Sequence, residues 1–175
     1  MATLEPVSIF LCGFMGSGKT AAGKVAAKKW GLHFADLDEE IESFAGKTIP
    51  EIFAQDGEAY FRTIESNVLA TMIFTPSQRG AIIALGGGAI INQENAAKIN
   101  NHGILVFIDV SFNTCYQRIK DDFNRPLVQE KSRKELKRLY NDRRKIYVKH
   151  AEFAVNGNTG IDTLAERILD IHGYL

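Results

Sequence analysis

The stretch Gly13-Phe14-Met15-Gly16-Ser17-Gly18-Lys19-Thr20 constrains this chain more than any other. It satisfies G-x-x-x-x-G-K-[ST], a loop that belongs between a strand and a helix. Both flanks are present: Val7–Cys12 is a short apolar run that reads as a buried strand, and Ala21–Trp30, rich in Ala and Lys, reads as a helix. The glycines let the backbone bend so that successive N–H groups converge on one anion, and the helix N-terminus adds partial positive charge at the same place. Lys19 supplies a point charge for the outer phosphates of a nucleotide, and the Thr20 hydroxyl suits magnesium. Nucleotide binding through Gly13, Gly16, Ser17, Gly18, Lys19 and Thr20 follows. A Gly-rich turn that matched by chance would not bring both flanks with it.

The rest of the chain fits that start. Further strand candidates are His33–Leu37, Ala81–Leu85, Ile104–Asp109 and Glu152–Val155, and helical patterns lie between them. Alternation of this kind predicts an α/β fold with a parallel sheet wrapped by helices, and 175 residues suit a single domain spanning 1–175. Ile104 to Ile108 are all apolar, as expected of a strand covered on both faces. Helices are expected over Lys19–Trp30 and Glu39–Ala45, each stopped by a Gly. Another opens at the capping box Thr48-Ile49-Pro50-Glu51 and ends near Gly57. Phe61, Ile64, Val68, Leu69 and Met72 fall at helical spacing. Ser132-Arg133-Lys134-Glu135 is a second capping box and opens a long helix. A last helix carries Ile161, Leu164, Ala165, Ile168 and Leu169. Asp121–Lys131 is polar and lacks periodicity, so it reads as a mobile lid loop.

Formal net charge is zero, which gives no reason to expect nucleic acid or an anionic membrane as partner. No signal peptide is expected, and no run approaches the roughly 20 apolar residues of a membrane span. Cys12 and Cys115 sit in apolar surroundings and read as buried thiols, which suits a reducing cytoplasm. There is no His/Cys metal cluster, no G-x-S-x-G elbow and no protein-kinase signature set. The histidines His33, His102, His150 and His172 are scattered and read as structural or surface residues.

Three further constellations carry chemistry. Asp36-Leu37-Asp38 ends the second strand, where parallel sheets bind ligands. If the extended geometry persists, both carboxylates face the phosphate loop. One can hold the water shell of magnesium and the other can accept a hydrogen bond or a proton from an acceptor alcohol. The plain alternative is that Asp38 only caps the following helix. Gly86-Gly87-Gly88 follows the third strand. It strips side chains from the cleft and exposes N–H donors, unless it is merely a flexible turn. Among the arginines, Arg125 precedes Pro in the lid and suits a charge delivered to a transferring phosphate. Arg138, Arg144 and Arg167 read as solvated surface charges.

In order, G-F-M-G-S-G-K-T at 13–20, D-L-D at 36–38, I-F-A-Q-D-G-E-A-Y-F-R at 52–62, L-G-G-G-A at 85–89, R-P-L at 125–127 and R-R-K-I-Y at 143–147 resemble the shikimate kinase family. The resemblance runs from Ile9 to about Ala154. It implies a three-layer P-loop kinase with a five-stranded parallel sheet in the order 2-3-1-4-5. It implies magnesium-dependent transfer of the ATP γ-phosphoryl to the 3-hydroxyl of shikimate by a cytoplasmic monomer. The family pattern places Lys19 and the loop amides on the β- and γ-phosphates, Thr20 on Mg2+, and Asp36 on Mg2+ through water. It places Asp38 on the ring hydroxyls next to the reacting one. Arg62, the Gly87 amide and Arg143 fall on the carboxylate, within a substrate set that includes Gly86 and Gly88, while Phe53 and Phe61 flank the ring. Arg118 falls against adenine and Arg125 on both substrates. Lys19, Asp38 and Arg125 form the implied catalytic set. The lid is expected at about 112–131 and the shikimate-binding segment at about 38–65. Arg143 rather than Arg144 is chosen because the family's arginine lies four residues before the tyrosine, here Tyr147. The chain departs from the family at Ala84, where Ser is usual, and at 143–147, where R-x-P-L-Y is usual. It also lacks a proline near Asn156–Gly160. A kinase of another small polyol such as gluconate, or a nucleotide-binding module without turnover, remains the competing expectation.

Overall fold

The computed structural model describes residues 7–75, 78–123 and 125–172. Asn124 of the expected lid, and the ends of the expected 1–175 domain, lie outside them. Among the described residues one all-parallel sheet forms from β1 (Ser8–Cys12), β2 (Phe34–Asp36), β3 (Ile82–Ala84), β4 (Gly103–Asp109) and β5 (Phe153–Asn156). Its order is β2-β3-β1-β4-β5. Every strand candidate is met within a residue or two, and the order is the one the family resemblance implies. Ile9, Leu11, Leu105 and Val106 are wholly buried, because helices cover both faces of the central strands.

Helix α1 (Lys19–Trp30) follows the phosphate loop and ends on Gly31 in the left-handed region, as read from the sequence. Next come α2 (Leu37–Ala45), α3 (Ile49–Gln55) and α4 (Gly57–Phe74). The capping box at Thr48 is complete, with its hydroxyl accepting from Glu51 N and Glu51 reaching back to Thr48 N. The apolar stripe of α4 is core: Phe61, Ile64, Val68, Leu69 and Met72 are buried.

Three elements differ from expectation. A 3-10 turn (Ala89–Ile91) and α5 (Gln93–His102) follow the triple glycine, and neither shows in the periodicity. Between α6 (Phe112–Ile119) and α8 (Arg133–His150), the stretch expected as loop contains a short helix, α7 (Pro126–Glu130), opened by a proline in its first turn. The capping box at Ser132 opens α8 as expected. Helix α9 (Ile161–His172) closes the described chain. The strands' carboxyl ends thereby gather the phosphate loop, the Asp36–Asp38 turn, the triple glycine and the lid on one edge.

Candidate active site

The Asp-x-Asp motif does not stay extended. β2 stops at Asp36 and α2 starts at Leu37, because the Asp36 carboxylate caps that helix: Oδ1 accepts from Asp38 N at 3.0 Å. The capping residue is thus Asp36, not Asp38. Both carboxylates still face the cleft, since Asp38 sits in the first turn of α2 above the strand end. Asp36 Oδ2 also accepts from Thr20 Oγ1 at 2.6 Å, joining the second strand to the phosphate loop.

Two adjoining clefts of about 340 and 410 Å³ share Met15, Thr20, Asp36, Asp38, Gly87 and Arg125. The larger lies over the phosphate loop. Gly16, Gly18, Lys19, Arg118 and Ile161 line it. Lys19 is buried, and its ammonium donates to Gly13 O at 2.9 Å and Phe14 O at 3.2 Å. Burial pulls its pKa down, with Asp38 pulling the other way. Arg118 Nη1 donates to Gly16 O at 2.9 Å, so this guanidinium spans the mouth of the loop. Helix α6 supports the loop directly: a Cβ on Gly16 would lie 2.8 Å from Cys115 O, and Gly16 has φ 78°.

The smaller cleft, expected from the sequence to take the acceptor, opens toward α3 and α4. Phe53 and Phe61 form one wall, their ring centroids 4.8 Å apart, and Arg62 lies 5.0 Å over the Phe61 ring. Asp122, Arg125, Pro126 and Leu127 close it from the lid. Arg125 Nε donates to Asp122 Oδ2 at 2.8 Å. The triple glycine forms the floor. An added Cβ would come 2.7 Å from Asp38 Oδ1 at Gly86, 3.3 Å from Arg143 Nη1 at Gly87 and 2.7 Å from Arg62 Nη1 at Gly88. Each glycine is therefore pressed by at least one charged group, Gly86 by Glu65 Oε1 at 3.2 Å as well, which is a packing reason for the run beyond turn flexibility.

Arg143 and Arg144 part as their 100° offset on a helix requires. Arg143 is buried on the cleft side, and its Nε has no hydrogen-bond partner. It forms no ion pair among the described residues, and burial lowers its pKa. Arg144 points away. It is not simply solvated, as expected, but paired with Asp109 through Nη2–Oδ2 at 2.6 Å and Nε–Oδ1 at 3.1 Å. Arg167 also has a partner, Asn156 O at 2.5 Å.

Asp38 is the electrostatic centre. Burial, then the neighbouring Asp36 and Glu65 carboxylates, push its pKa up to about 6, against the pull of Lys19 and Arg125. Glu65 was not anticipated. It is buried, lines the acceptor cleft and accepts from Arg62 Nη1 at 2.8 Å. The signal was available: positions 61, 65, 68 and 72 share one face of α4, so an acid stood on a core stripe. Met15, an unremarked loop residue, lines both clefts. Cys12 and Cys115 are free and buried, their thiols pushed up to about 12 and about 11, so neither is a nucleophile at neutral pH.

Sequence and structure comparisons agree with this arrangement. A family model described as shikimate kinase matches residues 15–172. A shikimate kinase of Macrococcus caseolyticus is 40% identical over 165 residues, covering 94% of each chain. One from Persephonella marina is 40% identical over 140 residues, covering 80% of this chain and 83% of the relative. The solved shikimate kinase of Acinetobacter baumannii in complex with shikimate superimposes with a TM-score of 0.88 at 37% identity, covering 94% of this chain and 92% of that one. With its phosphate loop, paired clefts and near full-length likeness, the chain belongs to the shikimate kinase family.

Proposed function

We propose that the two clefts hold ATP and shikimate end to end, and that the residues between them perform the family's reaction, ATP-dependent phosphorylation of the shikimate 3-hydroxyl. The observation that carries the acceptor assignment is Arg143: a buried guanidinium without an ion pair among the described residues faces the acceptor cleft beside Arg62 and Gly87. A buried cation of this kind calls for an anion, and the planar fork suits a carboxylate. Phe53 and Phe61 then flank the ring, and Asp38 reaches its hydroxyls.

Phosphoryl transfer asks mainly for positioning and charge stabilisation. Lys19 moves from its own loop carbonyls to the β- and γ-phosphates, and Arg125 leaves Asp122 to face the transferring group. Asp38 orients the 3-hydroxyl and takes its proton. Thr20 and Asp36 suit Mg2+, since this ion is commonly held by one or two protein oxygens together with phosphates and water rather than by a protein cage. When bound, it neutralises charge on the phosphate oxygens. In this reading residues 112–131 act as lid and 38–65 as acceptor-binding segment, and the protein works as a cytoplasmic monomer.

ADP release in the presence of ATP and magnesium should depend on shikimate and be much weaker with quinate or gluconate. Equal stimulation by gluconate would overturn the acceptor. Arg143→Ala should raise the shikimate KM roughly 10- to 150-fold, the worth of a charged contact of about 1.5–3 kcal/mol, and leave the ATP KM unchanged. Arg144→Ala removes only a half-exposed pair with Asp109 and should leave the shikimate KM within about twofold. A larger loss from Arg144→Ala would reverse the register.

The lid carries its own expectation. Amide exchange across Asp121–Lys131 should slow when ATP analogue and shikimate are both present, because Arg125, Pro126 and Leu127 already border the acceptor cleft. Unchanged exchange under saturating ligands would leave Arg125 a bystander.

A further inference from the structure

The triple glycine is followed by an unusual degree of backbone control. Four successive carbonyls are each occupied from the protein side. Gly86 O accepts from Ala89 N at 3.1 Å, and Gly88 O accepts from Ile91 N at 3.1 Å. Gly87 O accepts from the Tyr147 hydroxyl at 2.5 Å. Ala89 O accepts from Asn95 Nδ2 at 3.0 Å. By contrast, the N–H groups of Gly87 and Gly88 make no hydrogen bond among the described residues. A peptide whose carbonyl is fixed cannot rotate, so the N–H of the next residue is fixed with it. Holding the Gly86 and Gly87 carbonyls aims the amides of Gly87 and Gly88, and holding Ala89 anchors the 3-10 turn that carries the loop onward.

Two of the four locks are side chains, and both are costly choices. Tyr147 is wholly buried, and burial drives its pKa well above the ordinary phenol value, so its hydroxyl stays a donor. Asn95 is also wholly buried, in the core-facing turn of α5. Its Nδ2 bonds Ala89 O, but its Oδ1 has no partner. A leucine would fill the same space without desolvating an amide oxygen, so packing alone gives no reason for asparagine here.

We propose that Asn95 and Tyr147 are positioning residues for acceptor binding: Tyr147 holds the Gly87 carbonyl and so aims the Gly88 amide, while Asn95 holds Ala89, whose own N–H fixes the Gly86 carbonyl and so aims the Gly87 amide, both toward the acceptor carboxylate. The inference rests on the acceptor cleft assigned above. Neither side chain lines that cleft; Asn95 acts through the loop alone, and Tyr147 acts through the loop and through its neighbour Arg143. Arg62 and Arg143 supply the charge, and the locked amides supply direction.

The test is steady-state kinetics on Asn95→Leu and Tyr147→Phe, with both substrates varied and thermal unfolding measured in parallel. Each variant should raise the shikimate KM roughly 2- to 12-fold, the value of one misaligned hydrogen bond. Each should leave the ATP KM within about twofold and the kcat nearly unchanged. With an acceptor analogue lacking the carboxylate, KM should not change between native and variant proteins. A folded variant with native shikimate KM, or one equally impaired toward the carboxylate-free analogue, would overturn the proposal. A rise in ATP KM instead would show that the acceptor assignment itself is wrong, because the loop would then be serving the nucleotide. Should Asn95→Leu fail to fold, Asn95→Ala removes the Nδ2 donor without added bulk, leaves the Tyr147–Arg143 contact intact and decides the matter on the same readouts.

Discussion

Lys19→Ala should lower kcat by about 10²-fold or more while the folded state loses little. The side chain sits in the first turn of α1, where Ala is the better helix former, and its ammonium is buried against Gly13 O and Phe14 O. Burial of the charge lowers its pKa, so the native protein already bears a desolvation cost there. Removing the group gives up two hydrogen bonds to loop carbonyls and relieves that cost; the two effects oppose each other, and unfolding temperature should move by only a few degrees. Catalysis has no such offset. Charge on the phosphate oxygens shifts during transfer, and a fixed ammonium in a water-poor cleft acts on the transition state more than on bound ATP. The loss should therefore appear in kcat more than in the ATP KM. Lys19→Arg should not restore turnover, because a planar fork does not fit a space shaped for a point charge between two carbonyls. Near-native turnover in purified Lys19→Ala would remove the phosphate-loop mechanism.

The sheet was legible because its strands are short, apolar and bounded by turn residues, and because a buried parallel sheet leaves no polar alternation to confuse the reading. The capping boxes at Thr48 and Ser132 were legible because they are local chemistry: each needs only four consecutive residues. What escaped was tertiary in origin. Helix α5, Gln93–His102, buries Asn95, Ala96 and Ile99, so one of its core positions is occupied by an amide and the apolar stripe is interrupted. Helix α7 has five residues, too few to show a period. Glu65 stood out as an acid on a core stripe, but the reason it is tolerated there, its pairing with Arg62, becomes visible only once the helix is built. At Asp36–Asp38 the residue types were informative and the geometry was not, since a carboxylate that caps a helix ends the strand that carries it. The Arg143–Arg144 choice was resolvable from spacing to Tyr147, but the Asp109 pairing that holds Arg144 outward depends on a strand end far away in sequence.

Asp38→Asn should abolish most turnover and at the same time stabilise the ligand-free protein. In the native fold the carboxyl is held at about 6 against an ordinary value of 3.8, first by burial and then by Asp36 and Glu65. A raised carboxyl pKa means that folding favours the protonated form. Its contribution to stability is full below about pH 4, declines as pH rises through 6, and is absent at neutral pH. A shift of this size corresponds to roughly 1–3 kcal/mol of strain at pH 7, allowing for water in the open cleft. Asparagine carries no charge, so the variant should unfold at a higher temperature than the native protein at pH 7.5, and the difference should shrink toward zero near pH 4. Activity should move the opposite way. The ionised carboxylate is the form that can accept the 3-hydroxyl proton, so native kcat/KM for shikimate should rise with pH through about 6. General-base assistance is worth about 10²–10⁴-fold, and Asp38→Asn should lose activity on that scale. The residual rate of the variant should lack the acidic limb, because the group that titrates there is gone. An unchanged acidic limb in Asp38→Asn would assign it to another residue, and a variant less stable than the native protein at neutral pH would show that Asp38 is a structural ion rather than a strained catalytic one.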